Sequence, residues 1–442
     1  MKKCVYLSLI LSIILITPCL GERYIITPPN QQVVISGFNE KEINCIPIYG
    51  TNSCSGNLTK EIIEELKAKG YKIYPNLKVY AFLDKSVPQI QADKLWNISV
   101  NGINLTGKGQ TICIIDTGID YNHSALGGGW GNKVIAGWRF LDGCTINNQR
   151  CNCTYNNSAC YDDNGHGTHA AGIVASNNTT YRGVSPESKL VVVKALNSNG
   201  EGTIDNVISG INYCVNHAEE YNISIISMSL GTTDYHNNSY CDAEVPPLTS
   251  AISNATAKNI SVIVASGNEY NSNAISLPAC IQNATPVGSV NGEDSISSFS
   301  NFWSLPQIFA PGENIYSTWP NGWIFGSGTS MATPHVAGAF ALIRQYLELK
   351  GISKTPQELE ELFINTGISI GNNENHSRIN PYLTYLELLE FNVSVIPKNL
   401  EFILESNSTE TKNITINSTK NINITITFSN LTGNGQTINN SN

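Results

Sequence analysis

Four near-continuous apolar runs, Thr111–Asp116, Leu190–Lys194, Ile223–Met228 and Ile260–Ala265, constrain the fold of this chain more than any other feature. A strand that faces water on one side alternates apolar and polar residues, so a run that is apolar at successive positions needs cover on both faces. Parallel strands between two layers of helices have that cover. Segments with helical patterning separate the runs, at Gly167–Ala175, Ile204–Glu220 and Leu248–Lys258. The expectation is a doubly wound α/β domain with a mostly parallel sheet over residues 84–390, binding its ligands at the carboxyl ends of the strands.

The flanking segments read differently. Within residues 22–83, Arg23–Ile26, Tyr71–Tyr74 and Leu77–Leu83 are strand-like. Leu58–Gly70 reads as a helix with Thr59 near its cap, Ile62, Ile63 and Leu66 on one face, and Gly70 as its stop. This predicts a small α+β module. Residues 391–442 become Thr- and Asn-rich and alternate, as in Asn421–Phe428, which fits a β-rich segment, either an incomplete β-sandwich or an extended glycosylated stalk. Residues 1–21 carry Lys2 and Lys3, an apolar run from Val5 to Ile16, and small residues Cys19 and Gly21, the layout of a signal peptide cleaved before Glu22. An uncleaved anchor or a lipid-modified Cys19 is the alternative, and the apolar run is short for a span. No other run is long and apolar enough to span a bilayer.

The chain has 442 residues, only 14% of them charged, and a formal net charge of −9. Lys and Arg neither cluster nor outnumber the acids, which argues against nucleic acid as a partner. About twenty Asn-X-Ser/Thr sequons run from Asn57 to Asn439, so an exported chain of this kind is expected to be a glycoprotein. Cys4 and Cys19 lie in the signal segment; the other ten of the 12 cysteines survive its removal, an even number that reads first as disulfides.

The chemistry concentrates in short segments. Gly328-Thr-Ser-Met-Ala-Thr-Pro-His335 places Ser330 where a loop becomes a buried helix, and a helix N-terminus offers free N–H groups to an oxyanion. Asp116 ends the first buried run, and as a plain alternative could cap the turn that follows. His166 lies between Gly165 and Gly167 at a helix entry, where its ring can stand clear; His169 falls one turn further in, where it should be packed. A zinc reading of this His-X-X-His fails because no Glu follows in zincin spacing. Val262–Asn268 is a buried run ending in Gly267-Asn268, which could equally be a left-handed turn.

With Asp116, His166 and Ser330 in that chain order, residues 84–386 resemble the subtilisin-like serine proteases. The resemblance implies that Ser330 attacks a peptide carbonyl, His166 moves the proton, Asp116 orients His166, and Asn268 donates to the oxyanion. It implies pocket walls at Ser229, Leu230 and Gly231 and at Ser266 and Gly267, and an edge at Gly200, Glu201 and Gly202 that pairs with an extended substrate. Broad specificity with an apolar preference follows, and Glu269 could extend it to basic residues. Residues 22–83 resemble the family's inhibitory propeptide and Ser86-Val87-Pro88 a segment near the mature start, which puts the self-cut after Leu83. The expected partners are protein substrates and the chain's own propeptide, the expected state a monomer, secreted or at the cell surface, with no transmembrane anchor once the signal is removed.

Some features stay open. Cys144, Cys151, Cys153 and Cys160 sit in an insertion between Asp116 and His166 and read as two disulfides, with a four-thiolate metal site as the competitor. Cys241 could pair with Cys280 and Cys45 with Cys54, whereas Cys113 and Cys214 read as free core thiols that could also pair. No cofactor is required. The family often holds a structural calcium in the loop after the His helix, but residues 176–182 here carry no carboxylate, so calcium is open only elsewhere. The competing functions are a catalytically idle relative serving as a surface-binding glycoprotein and a metal-dependent hydrolase using the cysteine insertion. The first would not need all four site residues, and the second lacks a ligand set.

Overall fold

The computed structural model describes most of residues 83–389, together with 23–29, 46–47, 53–75 and two short paired strands, Ser394–Ile396 and Thr415–Asn417. Residues 1–21, read above as a signal peptide, and most of residues 391–442 lie outside the described residues. The chain divides into two units, Met1–Tyr80 and Ala81–Asn442. In the first, strands Arg23–Thr27, Ile46–Pro47, Cys54–Asn57 and Lys72–Pro75 form an antiparallel sheet. Helix Lys60–Ala68, with Thr59 as its N-cap, completes it. Ile26, Leu58 and Leu66 form its core, which is the α+β pattern expected.

The second unit is built on a nine-stranded sheet. Its order is Ile368–Ile370, Asn373–Arg378, Gln307–Pro311, Thr285–Val290, Ser261–Ala265, Ile223–Met228, Thr111–Asp116, Lys189–Lys194 and Val134–Arg139. Every neighbouring pair is parallel except the first, an antiparallel edge. All six residues of Thr111–Asp116 are buried, as a central strand covered on both faces must be. Side chains alternate between the faces. Ile112 and Ile114 enter a core with helices His166–Ala175 and Thr329–Lys350. Cys113 and Ile115 enter a second core with helices Ile204–Asn216 and Pro246–Ala257. The segment expected as one helix over Ile204–Glu220 breaks at His217, whose Nδ1 bonds the Tyr213 carbonyl at 2.9 Å in place of a further turn.

Two expectations need correction. Leu83 is not the end of a strand; it opens helix Leu83–Gln89, and residues 76–82 lie outside the described residues. Beyond it Ser86 and Val87 are buried, and the Ser86 hydroxyl meets His335 Nε2 at 2.9 Å. The His335 Nδ1 bonds the Met331 carbonyl at 2.8 Å, so both ring nitrogens are used. Burial lowers its pKa to about 4, which keeps the ring neutral.

Cys113 and Cys214 are not free thiols. They form a disulfide with Cα atoms 6.2 Å apart, tying the Asp116 strand to the helix that covers it. The insertion closes as Cys144–Cys151 and Cys153–Cys160, which consumes the four thiols a metal site would need. Cys241 pairs with Cys280, so His236 beside them has no thiolate partner for a metal. Cys54 is disulfide-bonded, and Cys45 lies outside the described residues.

The Cys113–Cys214 bridge closes a loop with a sequence separation of 101. Replacing both cysteines by Ala should therefore cost about 2–5 kcal/mol in chemical denaturation. A loss below about 1 kcal/mol would mean that the bridge does not constrain the unfolded chain.

Candidate active site

Asp116, at the carboxyl end of its strand, is completely buried. Its Oδ1 accepts from the Thr117 N–H at 2.7 Å and from His166 Nδ1 at 2.8 Å; Oδ2 has no partner. A buried carboxylate this sparsely bonded is costly unless a cation faces it. The imidazole supplies that cation when protonated. Burial opposes the charge on His166, but the Asp116 charge, their hydrogen bond and the charge of Asp162 outweigh it and raise its pKa above 6.5. His166 Nε2 has no partner among the described residues.

The helix entrance that carries His166 is held from below. A Cβ on Gly165, which has φ +116°, would lie 2.3 Å from the Trp319 ring, and one on Gly167 would lie 2.2 Å from the Gly118 carbonyl. Glycine is therefore required on both sides of His166 for the helix to seat against the Asp116 turn. Asp162, buried to 1% exposure, is the organising acid that sequence reasoning missed. Its Oδ1 accepts from Thr117 Oγ1 at 2.9 Å and from the N–H groups of Asn164 and Gly165 at 3.1 and 2.8 Å. Its Oδ2 accepts from the Thr168 N–H and hydroxyl at 2.8 and 2.6 Å. One carboxylate thus caps the helix and fixes the Asp116 turn at once. The Cys153–Cys160 bridge ends two residues before it, and the Cys160 carbonyl accepts from Ile119 N at 3.1 Å.

His169, as expected, is packed. Its Nε2 lies 3.1 and 3.2 Å from the carbonyls of Ile315 and Ile324, and burial lowers its pKa to about 4.

Ser330 is the second residue of helix Thr329–Lys350. Pro334 lacks an N–H, so the Ser330 carbonyl has no donor one turn on; the Ser229 hydroxyl fills the place at 2.8 Å. In return the Ser330 hydroxyl donates to the Ser229 carbonyl at 3.2 Å. No hydrogen bond joins Ser330 to His166 among the described residues. Asn268 Oδ1 accepts from Thr329 N–H at 2.8 Å and from the Thr329 hydroxyl at 3.1 Å, which commits the amide oxygen to the helix entrance. The Asn268 amide N–H groups and the Ser330 backbone N–H then have no partner among the described residues.

A cleft of about 490 Å³ opens beside His166. It is lined by Gly200, Glu201, Gly202, Ser229, Leu230 and Gly231, with an apolar side made by Leu196, Ile204, Val207, Leu248 and Leu277. Ser266, Gly267 and Glu269 do not line it. The Ser266 hydroxyl donates to the Asn301 carbonyl at 2.7 Å, and Gly267 N–H donates to Thr329 Oγ1 at 3.3 Å. The Glu269 carboxylate is shared between Asn301 Nδ2 at 2.6 Å and Asn268 N–H at 2.8 Å.

Residues 176–182 do not fit a calcium ion. The Asn178 side-chain oxygen accepts from the N–H groups of Thr180 and Tyr181, both at 2.9 Å, and the Ser176 hydroxyl donates to the Tyr181 carbonyl. The adjoining cavity is lined by Lys108, Lys133, Arg182 and Lys189 against one carboxylate, Glu187. The Lys133 ammonium already donates to the Pro186 and Ser188 carbonyls. No helix among the described residues is long and apolar enough to cross a membrane.

A hydroxyl at a helix entrance, an imidazole paired to a buried carboxylate and two unused donors, all at the carboxyl end of one sheet, can support acyl transfer. The chain is similar to known proteins with that chemistry. It is 38% identical over 275 residues to the major intracellular serine protease of Bacillus subtilis, covering 60% of this chain and 76% of that one. It is 36% identical over 273 residues to thermitase of Thermoactinomyces vulgaris, covering 61% and 85%. The crystal structure of a cold adapted subtilisin-like serine proteinase superposes with a TM-score of 0.50 at 31% identity, over 66% of this chain and 97% of that one. The subtilase family model matches residues 107–393, and the chain belongs to that family of subtilisin-like serine peptidases.

Proposed function

We propose that this subtilase is an exported serine endopeptidase, made as a self-cleaving precursor, in which Asp116, His166 and Ser330 act as a triad. The 2.8 Å bond from His166 Nδ1 to the buried Asp116 carboxylate carries the reading, because it leaves Nε2 as the basic nitrogen. Ser330 gives its proton to His166 Nε2 as its oxygen bonds to the substrate carbonyl carbon. The carbonyl oxygen takes the negative charge, facing the Ser330 N–H and the Asn268 amide. The C–N bond then breaks, the leaving amine takes the proton from Nε2, and water releases the acyl group by the same steps. For the first step Ser330 must turn from the Ser229 carbonyl, a rotation about one side-chain torsion.

The apolar side of the cleft and the backbone of Gly202, which makes no hydrogen bond among the described residues, support broad specificity, with main-chain pairing and a preference for apolar residues. Glu269 already serves two donors, so its pull on a basic residue is weakened. The reading of an idle binding relative is not favoured, since the four residues stand together at one sheet end. Residues 22–83 act as the propeptide. The burial of Ser86 and Val87 supports a cut ahead of them, because a later cut would remove the hydroxyl that His335 bonds.

The expressed full chain should process itself and give a new N-terminus at Asp84 or a near neighbour on sequencing, and Ser330→Ala should stay uncut. Processing of Ser330→Ala in pure form would refute self-cleavage at this serine. Asn268→Ala should lower kcat by about 10²–10³-fold with little change in KM, a magnitude carried over from subtilisin. An unchanged kcat would remove Asn268 from the oxyanion site.

A further inference from the structure

The end of the sheet opposite the catalytic residues holds a second site. Helix Thr329–Lys350 carries Ser330 at its start and Arg344 fourteen residues further on, about 21 Å along its axis. Arg344 is only 9% exposed. Its Nη2 donates to Ser261 Oγ at 2.9 Å, the single hydrogen bond of this side chain among the described residues, and Nε is buried with no partner. Among the described residues no carboxylate pairs with it. Burial lowers its pKa to about 10 with no opposing charge to raise it.

Arg344 lines a cavity of about 470 Å³ with Lys258, Lys354, Glu348, Gln110 and Ser353. The one carboxylate in that wall, Glu348, accepts from the neighbouring Gln110 Nε2 at 2.7 Å through Oε2. Among the described residues Lys258 Nζ donates to the Val215 carbonyl at 3.2 Å, and Lys354 makes no hydrogen bond or close ion pair, though its charge acts on Glu358. Three cations thus border a cavity whose wall holds one carboxylate, Glu348. A guanidinium withdrawn from water without a counter-charge is a costly arrangement. An oxyanion offering several acceptor oxygens to guanidinium and ammonium donors would relieve it.

We propose that this cavity binds a small tetrahedral oxyanion of the phosphate or sulfate type, with Arg344 as its buried anchor and Lys258 and Lys354 at its mouth. The ion ties the far end of the Ser330 helix to Lys258, which follows helix Pro246–Ala257, and to Lys354, in the turn after the Ser330 helix. Its effect is on stability and not on the chemistry at Ser330. The inference does not depend on the catalytic roles proposed above.

The test uses the full chain carrying Ser330→Ala, to exclude self-digestion, with inorganic phosphate as the probe. Equilibrium dialysis should find about one phosphate per chain, and saturating phosphate should raise the thermal midpoint by about 2–4 °C over chloride at equal ionic strength. Phosphate also stabilises proteins by exclusion from their surfaces, so the difference between variants decides. Arg344→Met should abolish binding and reduce the shift to that general effect. Lys354→Ala, at the cavity mouth where folding is not at stake, should weaken phosphate at least about threefold and decides the matter if Arg344→Met fails to fold. No bound phosphate in the parent chain, or equal binding in parent and Lys354→Ala, would overturn the proposal.

Discussion

The hydrogen bond from His166 Nδ1 to Asp116 Oδ1, 2.8 Å long, joins a strand end buried in the sheet to the first residue of a helix. Much of the fold near the cleft bears on that geometry. The strand cannot shift, because parallel partners hold it on both sides. Neither can the helix, because Asp162 accepts from the Gly165 and Thr168 N–H groups at its start and from the Thr117 hydroxyl in the Asp116 turn together. Lys194, at the end of the next strand, donates to the Thr117 carbonyl and to Asp163 at 2.6 Å, closing the same corner from the other side. Preorganisation of this kind is what lets a fixed carboxylate act on an imidazole without moving during reaction.

Ser330 reaches the same place by another route. Its helix is buried over most of its length and packs on the same face of the sheet as the His166 helix. Pro334 removes one helix hydrogen bond, and Ser229 and Asn268 secure the entrance from two neighbouring strand ends. The hydroxyl, the imidazole and the free N–H donors to which the catalytic roles are proposed are thus mounted on separate elements that share one sheet, so their relative positions inherit its rigidity. The same long helix carries the buried Arg344 near its far end.

The sheet was legible because its central strands are covered on both faces and therefore apolar at successive positions, as in Thr111–Asp116. The candidate site was legible because the glycines Gly165 and Gly167 around His166, and the loop that passes into a buried helix at Ser330, are local signals. What escaped was set by tertiary partners. Cys113 could be placed on a helix-covered face, but nothing in sequence said that Cys214 would be the residue above it. Asp162 looked like one of two adjacent acids in a polar loop; its position four residues before His166 and six before Thr168 was the available signal. Leu83 carried a strand-like pattern, yet helix Leu83–Gln89 takes it, and the next residues are fixed by Ser86 meeting a buried histidine. Glu269, read as able to extend specificity to basic residues, is drawn to Asn301, a partner 32 positions away.

The central claim is that Asp116 makes His166 the base for Ser330. The most direct measurement is the rate at which a serine-directed phosphonate inactivates the enzyme, followed against pH, with the adduct located by mass spectrometry. Only the neutral imidazole can take the Ser330 proton, and Asp116 and Asp162 raise the His166 pKa above 6.5 despite burial. The rate should therefore be full at higher pH and fall through a single midpoint above 6.5 as pH drops, with the adduct on Ser330. Asp116→Asn should move that midpoint down. A rate independent of pH through this range, or an adduct on another residue, would contradict the account.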